Sequence, residues 1–252
     1  MMLEIFAGSG QLSLAMRRLG YAAVAIDVDN GDWQDVLRPG VRDVLRGWCS
    51  SHAAAAVWIG MPCSSWSVAR RGPPSSTWCA LRSREHVEGL PGLRDVDQQK
   101  VILGNRLRDF TAWLVRLCVD MSIPVFVENP VSSRVWSSRP LEQLRRLPSF
   151  EETVFDMCAF GAEYRKRTKV WSWGSPSLQA LGMQCRGKKS CSFSGKPHTV
   201  LTGQHPSLGV LWTHAAQPYP PALCDKLALC ISKSWEDRRQ QRLTDVCCGL
   251  RP

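Results

Sequence analysis

The N-terminal stretch of residues 2–27 constrains the fold more than any other part of the chain. The apolar run LEIF at residues 3–6 predicts a strand, the turn AGSG follows, and residues 12–19 repeat apolar side chains on one face of a helix. Gly20 predicts the end of that helix, and AAVAID at residues 22–27 predicts a second strand. Strand, helix and strand in this order form a parallel unit, so we expect an α/β fold with a doubly wound, Rossmann-like sheet.

The first turn of this unit has features of a nucleoside-binding loop. Gly8 and Gly10 would let the backbone approach a ligand closely, and Asp27 at the second strand end suits ribose hydroxyls. Ser13 stands where a dinucleotide fingerprint has its third glycine, and the turn holds no basic residue. The sequence therefore favours S-adenosylmethionine, which has no phosphate, over a nicotinamide dinucleotide. Glycines that serve packing alone, and a capping role for Asp27, are the alternatives.

A second segment, VWIGMPCSSWS at residues 57–67, points to chemistry at a strand end. Its apolar start predicts a buried strand that Gly60 and Pro62 terminate. Cys63 then lies just beyond the carboxyl end of the strand, where open α/β sheets place their reactive groups. We interpret Cys63 as a nucleophile, and a buried structural cysteine is the alternative.

Further along the chain, another polar group follows a predicted strand. Residues 68–98 lack periodicity and predict a long mobile loop beside Cys63, and residues 99–121 predict a helix with an apolar stripe. Residues 123–127 predict a strand, and Glu128 comes directly after it. Asp43, in the run VRDVL, is read as the end of one more strand.

The charge of the chain is unevenly distributed. Residues 1–60 hold five basic and six acidic side chains, whereas residues 161–200 hold eight basic side chains and the single acid Glu163. The whole chain of 252 residues carries a formal charge of +10. We therefore expect the later segment to face a polyanion such as DNA, with RNA as the alternative. A basic surface that only confers solubility is a third explanation.

No targeting or membrane-spanning segment is visible in the sequence. The longest apolar run, residues 53–61, has nine residues and is too short to cross a bilayer, and no basic leader precedes the first strand. We therefore expect no membrane partner and an intracellular protein whose eleven cysteines are reduced. The nucleus is expected in a eukaryote, and the cytoplasm for a prokaryotic or viral protein.

The rest of the chain suggests three parts. Residues 174–210 are rich in Gly, Ser, Lys and Cys and predict a small irregular lobe, and residues 221–242 predict an amphipathic helix. We divide the chain into a catalytic domain (1–174), a small basic lobe for target recognition (175–213) and a C-terminal helix that returns to the catalytic domain (214–252). A weaker hypothesis is a metal site in the lobe. Its ligands would be Cys158, Cys185, Cys191 and His198, but they lack a close Cys-x-x-Cys pair, so we assign no metal ligand from sequence.

Four short motifs and one acid, in this order along residues 3–173, resemble those of cytosine-5 DNA methyltransferases. The motifs are FAGSG (6–10), PCSSWS (62–67), ENP (128–130) and EYRKR (163–167), and the acid is Asp27. The resemblance implies a methyltransferase sheet of the Rossmann-like type. It also implies transfer of a methyl group from S-adenosylmethionine to carbon 5 of cytosine in DNA through a covalent adduct with Cys63.

The resemblance also assigns roles to individual residues. Glu128 would act at ring nitrogen 3 of the base, and Arg165 and Arg167 would orient the base and support the thiolate. The loop after Cys63 would close over a base extruded from its helix. The cofactor would be bound by Phe6 near the adenine, Asp27 on the ribose, Asp43 on the adenine amino group, and by Ala7, Gly8, Ser9, Gly10 and Pro62.

The chain departs from the family pattern at several positions. Ser64 replaces a common glutamine, Pro130 replaces valine, Glu163 replaces glutamine, and the closing Gly-Asn motif is missing. A compact, divergent member fits these departures. An RNA cytosine methyltransferase, an inactive nucleic-acid-binding module and a dinucleotide oxidoreductase are the alternatives, and Ser13 argues against the last of them.

Overall fold

The protein forms a mixed six-stranded sheet with helices on both faces. The computed structural model describes residues 1–70, 72, 76, 79–174, 178–233 and 235. The sheet order is β2-β1-β3-β4-β6-β5, in which β1 to β4 are mutually parallel and β6 runs antiparallel to both of its neighbours. The strands are β1 (Met2–Ile5), β2 (Ala23–Ile26), β3 (Ala56–Gly60), β4 (Val125–Pro130), β5 (Phe150–Asp156) and β6 (Arg167–Trp173).

Five helices of the described chain have defined bounds, and a sixth covers residues 221–233. They are α1 (Gln11–Arg18), α2 (Pro39–Ser50), α3 (Asp95–Asp120), α4 (Arg139–Leu144) and the short α5 (Trp212–Ala215). We call residues 221–233 the C-terminal helix. No described helix has the length and apolar character that crossing a membrane requires.

The sheet separates two hydrophobic cores. Alternate strand residues such as Ile5, Ile59 and Val127 face α2, α3 and α4 on one side. Their neighbours such as Trp58 and Phe126 face α1 and the C-terminal helix on the other. Helices on both faces of a largely parallel sheet confirm the predicted α/β, doubly wound fold class.

The predicted elements are mostly present, with shifted ends. The helix predicted from residue 99 begins earlier, at Asp95, and β4 extends through Pro130. The described residues 79–94 include the buried side chains of Cys79, Leu81 and Arg82, so this part of the predicted loop is packed against the domain. The predicted end of the last helix, residues 236–242, lies outside the described residues.

One prediction about secondary structure is wrong. Asp43 does not end a strand, because it lies inside α2. Pro39 stands in the first turn of that helix, and Leu45 and Cys49, four residues apart, are its buried side chains. The helical period therefore governs this segment, although the short run VRDVL is also compatible with a strand.

The segment between the short 3₁₀ helix Gln179–Leu181 and α5 is irregular and mostly exposed. Between residues 182 and 211, the described chain forms neither a helix nor a strand of more than one bridge. Cys185 and Cys191 are its buried residues. The irregular character agrees with the predicted lobe, and the domain boundaries themselves stay a prediction.

Candidate active site

Cys63 lies in a tight turn beyond the carboxyl end of β3. Gly60 ends this strand, and a side chain there would meet the Tyr219 hydroxyl at 2.9 Å and the Phe6 carbonyl at 3.3 Å. Only glycine allows this close approach of three segments. The Cys63 carbonyl accepts a hydrogen bond from the Trp66 N–H at 3.0 Å, and the Cys63 side chain is partly exposed. The thiol is thus held at the strand end, as predicted.

Glu128 and Asn129 come to the same edge from the neighbouring strand. Glu128 is paired in register with Gly60, three residues before Cys63. The Asn129 side-chain amide donates to the Met61 carbonyl at 2.6 Å, which ties β4 to the turn that carries Cys63. Both side chains are buried. Glu128 Oε1 and Asn129 Oδ1 have no hydrogen-bond partner among the described residues, so two buried polar atoms are left for a ligand.

Tyr219 completes the surroundings of Glu128, and sequence reasoning missed it. Its hydroxyl donates to Glu128 Oε2 at 2.9 Å and accepts from the indole N–H of Trp58 at 3.1 Å. Tyr219 lies 91 residues after Glu128, in the segment that leads into the C-terminal helix. A tyrosine in the sequence PYPP carries no motif that would predict this contact.

The electrostatics of the site favour uncharged forms of both reactive groups. Burial raises the pKa of Glu128, while the positive charge of Lys166 and the Tyr219 hydrogen bond act to lower it. Burial also raises the pKa of the Cys63 thiol, Lys166 opposes this effect, and the charge of Glu128 adds to it. A raised pKa shifts Glu128 towards the protonated form, which is the form that a general acid needs.

Lys166 is a second residue that sequence reasoning passed over. Its ammonium donates to the Ala216 carbonyl at 3.2 Å, and its charge acts on both Cys63 and Glu128. It stands between the two predicted arginines in the motif EYRKR. Because side chains alternate along an extended backbone, Lys166 points opposite to Arg165 and Arg167. That alternation was the available signal.

Arg165 and Arg167 are occupied elsewhere. Both guanidinium groups bind the fully buried carboxylate of Asp156, at 3.3 Å from Arg165 and 3.1 Å from Arg167. Arg165 also donates to the Cys185 carbonyl at 2.6 Å. No hydrogen bond or ion pair within the described chain joins either arginine to Cys63 or Glu128. The predicted direct role beside the thiolate therefore has no contact to support it, and Lys166 supplies the nearby charge.

The predicted cofactor turn has three residues in the left-handed region, which its two glycines adopt readily and Phe6 adopts at a cost. Phe6, Gly8 and Gly10 have φ values of 57°, 49° and 63°, in the left-handed region. Asp27 accepts hydrogen bonds from the Gly8 N–H at 2.8 Å and from the Asp29 N–H at 3.0 Å. The carboxylate at the end of β2 thus fixes the turn at the end of β1.

The other predicted cofactor residues are distributed as follows. Phe6 is half-buried with its ring edge-on to Phe110 at 6.0 Å between centroids. Ala7 is buried, Ser9 is exposed at the turn, and Pro62 is exposed beside Cys63. Asp43 is the exception: its side chain is exposed on α2 and pairs with Arg46 at 3.6 Å. The structure does not bring Asp43 to the turn by any described contact, so the predicted adenine contact is not supported.

Arg82 connects the turn that carries Cys63 to the rest of the domain through contacts with Ser65 and Trp66. Its guanidinium is buried, lies over the Trp66 ring at 3.4 Å, and donates to the Ser65 carbonyl at 3.0 Å and to the Ser65 hydroxyl at 3.2 Å. Burial lowers the pKa of Arg82 to about 10. Gly104 of α3 lies against the same group, since a side chain there would overlap the Ser65 hydroxyl. The inner side of the turn is therefore closely packed against Arg82 and α3.

No protein-family model matches the sequence, and no curated protein matches it either. Among solved structures, the chain is similar to the methyltransferase EhMeth of Entamoeba histolytica, with 12% identity and a TM-score of 0.39 over 77% of this chain and 57% of that one. It is also similar to a mutant of Spodoptera frugiperda DNMT2, with 12% identity and a TM-score of 0.36 over 68% of this chain and 49% of that one. The chain spans about half the length of these two proteins. In its motifs the chain resembles cytosine-5 methyltransferases, and the similar solved structures include these two proteins, a methyltransferase and a DNMT2.

Proposed function

We propose that the protein transfers a methyl group from S-adenosylmethionine to carbon 5 of cytosine in DNA through a covalent adduct with Cys63. One observation carries the proposal. A partly exposed thiol and a buried carboxyl group with a raised pKa lie at the ends of adjacent parallel strands, and Asn129 ties the two strand ends together. This is the pair of groups that attack at carbon 6 and proton donation at nitrogen 3 require.

The turn at residues 6–10 fits the proposed cofactor. The left-handed Gly8 is exposed, with no atom within 4 Å of the place a side chain would occupy. The turn carries no basic residue, which suits a ligand without phosphate. Asp27 lies beside the turn with a partly exposed carboxylate. When bound, S-adenosylmethionine supplies an electrophilic methyl group on a sulfonium.

The residues of the chain account for the remaining steps. Cys63 loses its proton to solvent, its sulfur bonds to carbon 6, and nitrogen 3 takes a proton from Glu128. When bound, S-adenosylmethionine would supply the methyl group to carbon 5 and would leave as its demethylated product. The proton on carbon 5 leaves to water, the sulfur–carbon bond breaks, and nitrogen 3 returns its proton to Glu128. Each bond formed is balanced by a bond broken.

Lys166 helps with the least favourable of these steps. Because the pKa of Cys63 is raised by burial, its thiolate is scarce before substrate binds. The positive charge of Lys166 acts in the opposite direction on both the thiol and Glu128. We therefore assign Lys166 to stabilising the thiolate, the task that the resemblance gave to Arg165 and Arg167.

We propose DNA as the substrate because the motifs resemble those of DNA methyltransferases, and RNA is tested in parallel. The exposed basic residues Arg186, Lys188, Lys189 and Lys196 of the lobe suit phosphates of either polymer. The protein is incubated with labelled S-adenosylmethionine and each polymer. Label in DNA supports the proposal. Label in RNA alone would show that the same reaction takes place on RNA and that DNA is not the substrate.

A fluorinated substrate tests the covalent step directly. With fluorine in place of hydrogen on carbon 5, the adduct cannot resolve, so a denaturant-resistant complex should form in the presence of S-adenosylmethionine. Cys63→Ser should abolish this complex, and Glu128→Gln should slow its formation, about 10²- to 10⁴-fold if the carboxyl group is the general acid.

Cys79→Ser is the matched control. Cys79 is a buried cysteine on the neighbouring loop whose thiol lies 3.7 Å from Asp97. This variant should keep the complex. A wild-type protein that binds the cofactor and both fluorinated polymers but forms no adduct would contradict the proposal and favour a binding module.

A further inference from the structure

Four potential metal ligands from distant parts of the chain meet at one point outside the active site. Cys158 follows β5, whereas Cys185, Cys191 and His198 come from the irregular segment after residue 182. Their sulfur and imidazole nitrogen atoms all lie within 4.8 Å of one another. The three cysteines are buried at 2–3% exposure and form a cluster of their own, separate from both hydrophobic cores.

Two of the distances in this cluster are close to the edges of a tetrahedral zinc site. The sulfur atoms of Cys185 and Cys191 are 3.9 Å apart, and the Cys185 sulfur is 3.7 Å from His198 Nε2. In a tetrahedron with Zn–S bonds of about 2.3 Å and Zn–N bonds of about 2.0 Å, such edges measure roughly 3.5–3.8 Å. A disulfide needs about 2.0 Å between sulfurs, so the thiols are not linked.

We propose that Cys158, Cys185, Cys191 and His198 bind one structural zinc ion. Three thiolates and one imidazole in a closed tetrahedron leave no open position, which is the arrangement of a structural rather than a catalytic site. Soft sulfur ligands at this geometry select zinc over magnesium or calcium. The proposal is independent of the chemistry at Cys63.

Backbone donors around the sulfurs suit thiolates. The N–H of Ser192 points to the Cys185 sulfur at 3.3 Å, and the N–H of Phe193 points to the Cys191 sulfur at 3.4 Å. The Ser192 hydroxyl lies 3.5 Å from the Cys185 sulfur. Such donors stabilise negative charge on sulfur and orient the ligands of a metal site. A purely apolar cysteine cluster would not need them.

The lobe also needs a substitute for a hydrophobic core. Between residues 182 and 215, Cys185 and Cys191 are the buried residues of the described chain. A segment with so little apolar burial does not hold its conformation by packing, and small irregular segments use metal ions for this purpose. The zinc ion would therefore order the segment that carries Lys188, Lys189 and Lys196.

Hydrogen bonds connect Cys185 to Asp156 at the end of β5 and to Arg165 just before β6. The buried carboxylate of Asp156 accepts from the Cys185 N–H at 2.7 Å, and Arg165 donates to the Cys185 carbonyl at 2.6 Å. Arg165 and Arg167 share the same carboxylate. Ordering Cys185 thus fixes the backbone on either side of Lys166, whose charge acts on Cys63.

The test is metal content of the full chain purified without chelator. Elemental analysis should find one zinc per chain. Replacement by Co²⁺ should give the intense visible bands of a tetrahedral thiolate complex. Cys191→Ser should weaken zinc binding by at least about tenfold and reduce those bands. Removal of zinc from the wild-type chain should speed proteolysis within residues 185–200.

The control variant is Cys230→Ser, which changes a partly buried cysteine of the C-terminal helix. It should keep one zinc and the full cobalt spectrum. A wild-type chain that is folded by circular dichroism and takes up neither zinc nor cobalt overturns the proposal. A folded Cys191→Ser variant with an unchanged cobalt spectrum overturns it as well. Because the cobalt spectrum is measured on the wild-type chain, the test does not depend on a variant folding.

Discussion

Removal of the Tyr219 hydroxyl should both destabilise the fold and move the pH profile of the reaction. In the wild-type protein this hydroxyl holds Glu128 Oε2 at 2.9 Å and the Trp58 indole N–H at 3.1 Å. Tyr219→Phe deletes one oxygen and keeps the ring, which packs edge-on against Trp58 at 5.9 Å between centroids. The variant therefore isolates two hydrogen bonds.

The size of the effect follows from these two contacts. The Tyr219 hydrogen bond contributes about 0.5–1.5 kcal/mol when Glu128 is neutral and about 1.5–3 kcal/mol when it is ionised, and a buried indole N–H left without a partner costs about 1–3 kcal/mol. Tyr219 is itself partly exposed, so water can replace part of this loss. We expect a net cost of about 2–4 kcal/mol, which corresponds to roughly 4–16 °C in Tm for a domain of this size.

Tyr219→Phe should also change the pKa of Glu128 in a definite direction. The pKa of Glu128 is raised by burial, and the Tyr219 hydrogen bond lowers it, so Tyr219→Phe should raise it further. If protonated Glu128 is the active form, the fall in rate on the alkaline side should move to higher pH. Because the lost bond favours the ionised carboxylate, the stability cost should grow as pH rises through the pKa of Glu128.

Thermal unfolding and a rate profile, both measured across pH, check the prediction. Tyr164→Phe is the matched control, because the Tyr164 hydroxyl makes no hydrogen bond within the described chain and its removal should change stability by less than about 0.5 kcal/mol. If Tyr219→Phe unfolds at the wild-type temperature and keeps the wild-type pH profile, the assigned contact between Tyr219 and Glu128 is wrong.

Three further outcomes are expected. Asp27→Ala should weaken S-adenosylmethionine binding by about 1–3 kcal/mol in calorimetry, because ribose hydroxyls lose their partner; binding of NAD instead would contradict the cofactor. Gly104→Ala should destabilise the chain by about 1–3 kcal/mol in chemical denaturation, since the added methyl group overlaps Ser65. Gly47→Ala, on the open face of α2, should instead stabilise the chain by about 0.5–1 kcal/mol. Equal effects of the two substitutions would refute the close packing at Gly104. Glu128→Gln should raise the free energy of unfolding most at alkaline pH. The pKa of Glu128 is raised in the folded protein, so the stability linked to its neutral form is lost as pH rises through that pKa, and glutamine stays neutral. A gain confined to acidic pH would mean that the pKa of Glu128 is lowered by folding.

The strands and the residues at their ends could be predicted from the sequence, because they depend on local patterns of apolar and polar residues. Apolar runs of four to six residues predicted the parallel strands, and the polar residues at their ends, Cys63 and Glu128, were placed at one edge because parallel strands share a direction. The error at Asp43 arose from a run of five residues that suits either period. The proline at the start of α2 and the apolar step of four residues would have resolved it.

Contacts between distant segments could not be predicted in this way. Tyr219 reaches Glu128 across 91 residues, and no periodicity records such a separation. The pairing of Arg165 and Arg167 with Asp156 depends on β5 and β6 running antiparallel, which the resemblance did not specify. The candidate metal ligands Cys158, Cys185, Cys191 and His198 are a further example. Their spacing in the sequence was too irregular to assign a site, and only the fold brings them together.

The raised pKa of Cys63 also determines how the resting protein withstands oxidation. Peroxides and alkylating agents attack thiolates, and a partly exposed cysteine in a low-pKa environment is their usual target. Burial raises the pKa of the Cys63 thiol further above its ordinary value, against the opposing charge of Lys166, so the thiol is protonated near neutral pH. A thiol that stays protonated reacts slowly with these reagents, so we expect Cys63 to resist oxidation and alkylation although its side chain is partly exposed.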